Sequence, residues 1–238
     1  MPNWGEHLLI ANKILKKVKI DENLFLFGNI LPDVQDGFLV KGISNIQPHK
    51  INHYDLNGEN YNPNNKKEYE IFYEMYSKKM DNPIIIGYLV HLMTDSLWND
   101  IFYNGKCVKE NDKLIGFINK NGELIKGDKD DLRKNKQKDF GIFSLYIYKN
   151  HNMKLPKFSL EVSKNANIIE NININDEDVK KVVDYINETK IDANNQNQEM
   201  QVFTIEELEK QIDNTVDVVY KFLNEFCIRS SNGRILEK

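Results

Sequence analysis

The stretch that constrains this chain most is Pro83 to Asp100, "PIIIGYLVHLMTDSLWND". Pro83 suits a first helical turn, and the apolar run after it predicts a helix from about Pro83 to Phe102. Tyr88, Leu89, Val90, Leu92, Met93, Leu97 and Trp98 surround that helix almost completely, so it has no wide face to give to water and belongs inside the fold. Yet the same helix carries His91 and Asp95. Four residues apart, these two project from one face, one turn from each other. A surface ion pair, a hydrogen-bonded core pair and a metal site all have this spacing. The apolar surroundings argue for burial, where an ionised carboxylate needs a partner or a cation.

The rest of the chain reads as helical. "WGEHLLIANKILKKV" places apolar residues at the helical repeat, with His7 near the start. "GNILPDVQDG" is loop-forming: Pro32 disfavours helix at Leu31 and puts Asp33 in a bend. Residues 37 to 64 are rich in Gly, Asn and Pro and read as irregular backbone carrying His49, His53 and Asp55. A helix follows in "NPNNKKEYEIFYEMYSKKM", and two short apolar runs around Asn119 to Gly122 predict a small hairpin or irregular excursion near 106–127. "DLRKNKQKDFGIFSLYIYKNHNMKLP" looks helical up to Pro156, and further helices are expected at about 176 to 189 and 204 to 227. Thr204 and Glu207 form a capping-box pattern there, and the polar "ANNQNQEMQ" before it reads as mobile. Five to eight helices with little strand give an all-α fold over residues 1–238 as one domain, with a motif-bearing core at 1–155 and a helical part at 156–238.

Composition narrows the function classes. A formal charge of -4 gives no basis for stable nucleic-acid binding. Cys107 and Cys227 have no metal-knuckle spacing and read as free thiols. No transmembrane segment is expected, because no window approaches an uninterrupted apolar span, and the N-terminus lacks the order of a signal peptide; the expected location is cytoplasmic. Imidazole and carboxylate are ligands suited to zinc and its neighbours, and His7, Asp33, His53, His91 and Asp95 are the candidates to supply them.

These residues stand in ordered motifs: "EHLLIA", "GNILPD", "NHYD" and "GYLVHLMTDSLW". In that order they resemble the zinc-dependent phospholipase C and P1/S1 nuclease superfamily, all-α phosphodiesterases with a clustered metal centre, and its small bacterial members in particular. The resemblance covers roughly residues 1 to 100. It implies that Asp33, His53, His91 and Asp95 hold one zinc ion, that Asp95 bridges to a second ion also held by His7, and that Asp33 or Asp95 orients the attacking water. Asp33 is the candidate catalytic residue. The implied reaction is phosphoester hydrolysis of a lipid head group or small molecule, with single-strand nuclease-like activity as a further form. A catalytically silent helical domain holding a structural metal is the rival from another class.

The chain departs from the family pattern in two places. In the family an N-terminal tryptophan amine completes the second ion; here Pro2 has the matching spacing if Met1 is removed. The later histidine pair of a third site is missing, and Asp139 in "KDFGIF" is the candidate supplementary ligand. His49, four residues before His53, could replace it if that loop turned helical, but His53 alone is followed by the motif's aromatic residue. Glu6 reads as a first-turn carboxylate or a supporting acid beside His7, and Tyr88 and Trp98 as core.

Overall fold

The computed structural model describes residues 2–55, 66–111, 113–192 and 199–227. Its elements are α1 (Trp4–Leu15), α2 (Glu22–Gly28), α3 (Leu31–Val34), α4 (His49–Asn52), α5 (Glu68–Tyr76), α6 (Pro83–Tyr103), β1 (Cys107–Glu110), β2 (Lys113–Ile118), β3 (Leu124–Lys126), α7 (Lys129–Asn150), α8 (Leu160–Ala166), α9 (Asp176–Asp192) and α10 (Ile205–Phe222). The described chain is 62% helical, with one three-stranded antiparallel sheet.

The apolar helix α6 lies at the centre, with its residues from Ile84 to Asp95 all buried. Around it, α1, α2, α5 and α10 pack their apolar faces. Two glycines let α2 approach it closely: a Cβ on Gly28 would lie 2.2 Å from the Ile84 carbonyl, and one on Gly87 2.3 Å from the Phe25 carbonyl. Asn29 closes this contact by donating its side-chain N–H to the Gly87 carbonyl at 3.2 Å. On the other side of the site, α1 meets α7 through Gly5, where a Cβ would lie 2.3 Å from Ser144 Oγ. Tyr88 and Trp98 are core residues, as expected. The Tyr88 hydroxyl donates to the Asn52 carbonyl, which ties α4 to α6, and the Trp98 indole donates to Thr215 Oγ1 at 3.2 Å.

Several local expectations need correction. Pro32 does not end regular structure; it sits in the first turn of the one-turn helix α3, where its missing N–H costs nothing, so Asp33 is helical. The segment after Pro48 is helical rather than irregular, forming α4. The excursion near 106–127 is a sheet of three strands in the order β1-β2-β3. Helix α7 stops at Asn150 rather than at Pro156. Side-chain amides hold the segment beyond it in extended form: Asn12 bonds the N–H and carbonyl of Lys154, and Asn23 those of Lys157. The later helices fall where the sequence puts them, and Thr204 and Glu207 make the reciprocal capping bonds of α10. Most of "ANNQNQEMQ", and the end of the Gly/Asn-rich region, lie outside the described residues.

Candidate metal centre

Four helices deliver the predicted ligands to one point. Helix α6 presents His91 and Asp95 one turn apart, α3 presents Asp33, the C-cap of α4 presents His53, and α1 presents His7. His53 Nε2 and His91 Nε2 face each other at 3.2 Å. His53 Nε2 lies 3.3 Å from Asp33 Oδ1 and 3.4 Å from Asp95 Oδ2. His91 Nε2 lies 3.8 Å from Asp33 Oδ1 and 3.3 Å from Asp95 Oδ2. A tetrahedral zinc site with bonds of about 2.0–2.1 Å has ligand-to-ligand edges of about 3.3 Å. These five distances match, to within about 0.5 Å, five of the six edges of such a tetrahedron with Asp33 Oδ1, His53 Nε2, His91 Nε2 and Asp95 Oδ2 as corners.

The other oxygen of Asp95 points elsewhere: Oδ1 lies 3.4 Å from His7 Nε2. The His7 ring stacks on His91 with centroids 3.9 Å apart and planes within 6°. Both ring nitrogens of His7 and both oxygens of Asp95 are buried without a hydrogen-bond partner. Buried polar atoms left open in this way cost stability unless something else meets them. His7, His91 and Asp95 form one group able to hold an ion, and Asp33, Asp36, His49 and His53 another, with ligand atoms inside 4.8 Å in each.

A further set of contacts aims these ligands. His91 Nδ1 lies 2.9 Å from the Asn29 carbonyl and His53 Nδ1 lies 3.1 Å from the His49 carbonyl. Each carbonyl accepts the ring's Nδ1–H and leaves Nε2 to the centre, the usual way a ligating histidine is oriented. The Trp4 indole donates to Asp33 Oδ2 at 3.1 Å, which turns Oδ1 inward.

The electrostatics match a dry cluster of opposite charges. Burial, aided by the neighbouring His91 charge, pushes His7 down to about 4, so it is neutral at pH 7. Burial also acts against a charge on His91, but Asp95 and Asp33 outweigh it and raise His91 to about 9. Burial would raise Asp33, yet His91 and His53 bring it down to about 2; Asp95 is likewise held well below the carboxylate range by His91 and His7. The His7 and His91 side chains are fully buried, while those of Asp33 and Asp95 keep 10% exposure. Both Asp95 oxygens are themselves buried, so its exposure falls on the rest of the side chain.

His49 does not replace His53. Its ring lies over His53 at 3.6 Å, and its Nδ1 is 2.6 Å from Asp36 Oδ2. Asp36 carries no motif of its own, although its place three residues after Asp33 on a helical turn is a usable signal. Asn29 and Trp4 support the centre without being legible as supports, because a backbone carbonyl and an indole N–H carry no ligand signature. Asp139 is not brought to either group, contrary to its candidacy as a supplementary ligand. Its two oxygens accept the backbone N–H groups of Gln201, Val202 and Phe203, at 2.6 to 3.1 Å. Glu6 is fully buried; Oε2 accepts the Asn3 N–H at 3.2 Å while Oε1 is unpartnered, and burial raises its carboxyl well above the usual range. His151, the last histidine, is half-buried and pairs with Glu209 at 3.0 Å. Pro2 is buried, but its candidacy as an amine ligand turns on Met1, which lies outside the described residues.

Among the described residues no helix is long and apolar enough to cross a membrane. Comparison of the chain with known protein families, curated proteins and solved structures finds no match.

Proposed function

We propose that this chain is a metal-dependent phosphoester hydrolase, of the kind found in the zinc-dependent phospholipase C and P1/S1 nuclease superfamily that its motifs resemble. The observation that carries the reading is the quartet of Asp33, His53, His91 and Asp95, five of whose six ligand-to-ligand distances suit a zinc-sized tetrahedron, with the second Asp95 oxygen turned to His7. Asp33, His53, His91 and Asp95 hold the first ion, and His7 with Asp95 Oδ1 form half of a second position. Divalent ions held there supply Lewis acidity toward phosphoryl oxygens and make a bound water acidic. Hydrolysis then adds water across a P–O bond, and the proton it releases reaches the departing alkoxide.

The residues divide that work. Asp95 would offer one oxygen to each position. Asp33 gives Oδ1 to the centre, while Trp4 holds its Oδ2; to serve as a base, Asp33 would have to release the indole, so its role here is ligation and orientation. The substrate on this reading is a lipid head group or small-molecule phosphoester.

One observation favours a second reading. Four candidate protein ligands would fill the four positions of a structural zinc site, whereas a catalytic ion keeps a position for water. Elemental analysis of reconstituted protein, followed by assays on bis(p-nitrophenyl) phosphate, phosphatidylcholine and single-stranded DNA, separates the two. Phosphoesterase function predicts bound metal and turnover on at least one substrate, both lost in His91→Ala and turnover lost in Asp33→Asn. Metal without turnover leaves a structural ion, and no metal after reconstitution removes both readings.

A further inference from the structure

Helix α7 carries a glycine that its own packing does not explain. Gly5, Gly28 and Gly87 sit in helices where a Cβ would collide with a neighbour at 2.2 to 2.3 Å. A Cβ on Gly141 would meet only Asn3 Nδ2, at an ordinary 3.5 Å, and the residue shows no positive φ. Glycine inside a helix costs about 1 kcal/mol against alanine, so the sequence gives up stability there without a steric reason inside the protein. Gly141 lines a cavity of about 340 Å³ between α7, α9 and the start of α1. Its apolar walls include Trp4, Leu39, Ile142, Leu145, Tyr148 and Tyr185. Asn3, Gln137, Lys138 and Thr189 also line it and bring hydrogen-bonding groups.

Glycine is the residue that lets a backbone approach a ligand closely. A glycine among Trp, Tyr and Leu side chains leaves room for a planar ring, and the volume is at the lower end for small-molecule pockets. It takes one ring group rather than two acyl chains or a run of nucleotides. The pocket adjoins the metal centre through one residue: Trp4, which lines it, donates its indole N–H to Asp33 Oδ2. We infer that this cavity is the subsite for the organic group of the substrate, which is a small phosphoester bearing a single compact ring. The inference rests on the phosphoesterase reading.

The test uses phenylphosphonate and methylphosphonate, which share a phosphonate head and have no ester bond to hydrolyse. Calorimetric titration of the zinc-loaded protein is expected to give phenylphosphonate at least about tenfold tighter binding, from burial of the ring. Gly141→Leu, which fills that room and favours the helix, is expected to bring the two ligands within about twofold. Gly141→Ala, which occupies less of it, is expected to give an intermediate preference. Equal binding of the two phosphonates, or an undiminished preference in Gly141→Leu, overturns the subsite while leaving zinc-dependent hydrolysis of bis(p-nitrophenyl) phosphate intact. A Gly141-sensitive preference in a protein that hydrolyses no phosphoester overturns the assignment to a substrate and sinks the catalytic reading instead.

Discussion

Asp95 and Asp139 are both buried aspartates on the two longest helices, and their surroundings are opposite in kind. Asp139 faces three backbone N–H groups that belong to the approach to α10. These dipoles only partly offset its burial, which lifts its carboxyl above the usual range. Asp95 faces imidazoles, accepts no hydrogen bond by normal geometry, and is held well below that range. The first carboxylate has its partners within the fold; the second is oriented toward something the fold does not provide. Burial of a charge is therefore not the mark of a site. The mark is a buried charge whose donors are absent and whose neighbours are themselves ligands.

The comparison breaks most readily at Asp139. Asp139→Ala strands three backbone N–H groups, and the expected loss is about 3–5 kcal/mol of unfolding free energy in urea titration. Metal stoichiometry by elemental analysis should be unchanged. Asp95→Asn is expected to do the reverse. Wild-type protein at a zinc concentration one hundred times the Kd gains about 2.7 kcal/mol, seen as a rise in Tm, and the variant should show no such rise. A zinc-induced shift that survives in Asp95→Asn would place the ion elsewhere.

A pH series sharpens the same contrast. The proton on His91 competes with an ion for Nε2, and His91 keeps that proton up to about 9 in the metal-free protein. Affinity should therefore rise with pH, by about tenfold per unit, and level off above 9. His7, depressed to about 4, has no proton to give at pH 7. Calorimetry in buffers of different ionisation enthalpy should detect proton release whose His91 share is about one per ion. Affinity that falls as pH rises from 7 to 9 would contradict the charge assignment.

How much of this was legible depends on which kind of partner a residue has. His91 and Asp95 could be paired from sequence because helical periodicity fixes both on one face. The motifs around Asp33, His53 and His7 picked out the remaining members of the cluster. Asp139 misled because its partners are backbone groups 62 to 64 residues away, and a backbone N–H has no identity in a sequence. The one-turn helices α3 and α4 were missed because each is too short to show a period. Trp4 was visible three residues before His7, but its partner Asp33 is 29 positions distant. Trp4→Phe tests the importance of that bond: it removes the N–H and keeps most of the packing, and the expected cost is about tenfold in zinc affinity.

Two residues beyond Asp139 on the same helix, Gly141 extends the contrast from charge to space. Gly28 is filled by its surroundings, as Asp139 is satisfied by its donors; Gly141 is left open, as Asp95 is. Gly28→Ala drives a Cβ against the Ile84 carbonyl at 2.2 Å, separates α2 from α6, and is expected to cost about 1–3 kcal/mol while moving the Asn29 carbonyl off His91. Gly141→Ala meets no such obstacle and recovers helix propensity, so it is expected to raise stability by about 1 kcal/mol. Urea titration of the two variants side by side measures both signs. A loss of stability in Gly141→Ala would mean that the space at Gly141 is needed by the fold, and the glycine would no longer point to a ligand.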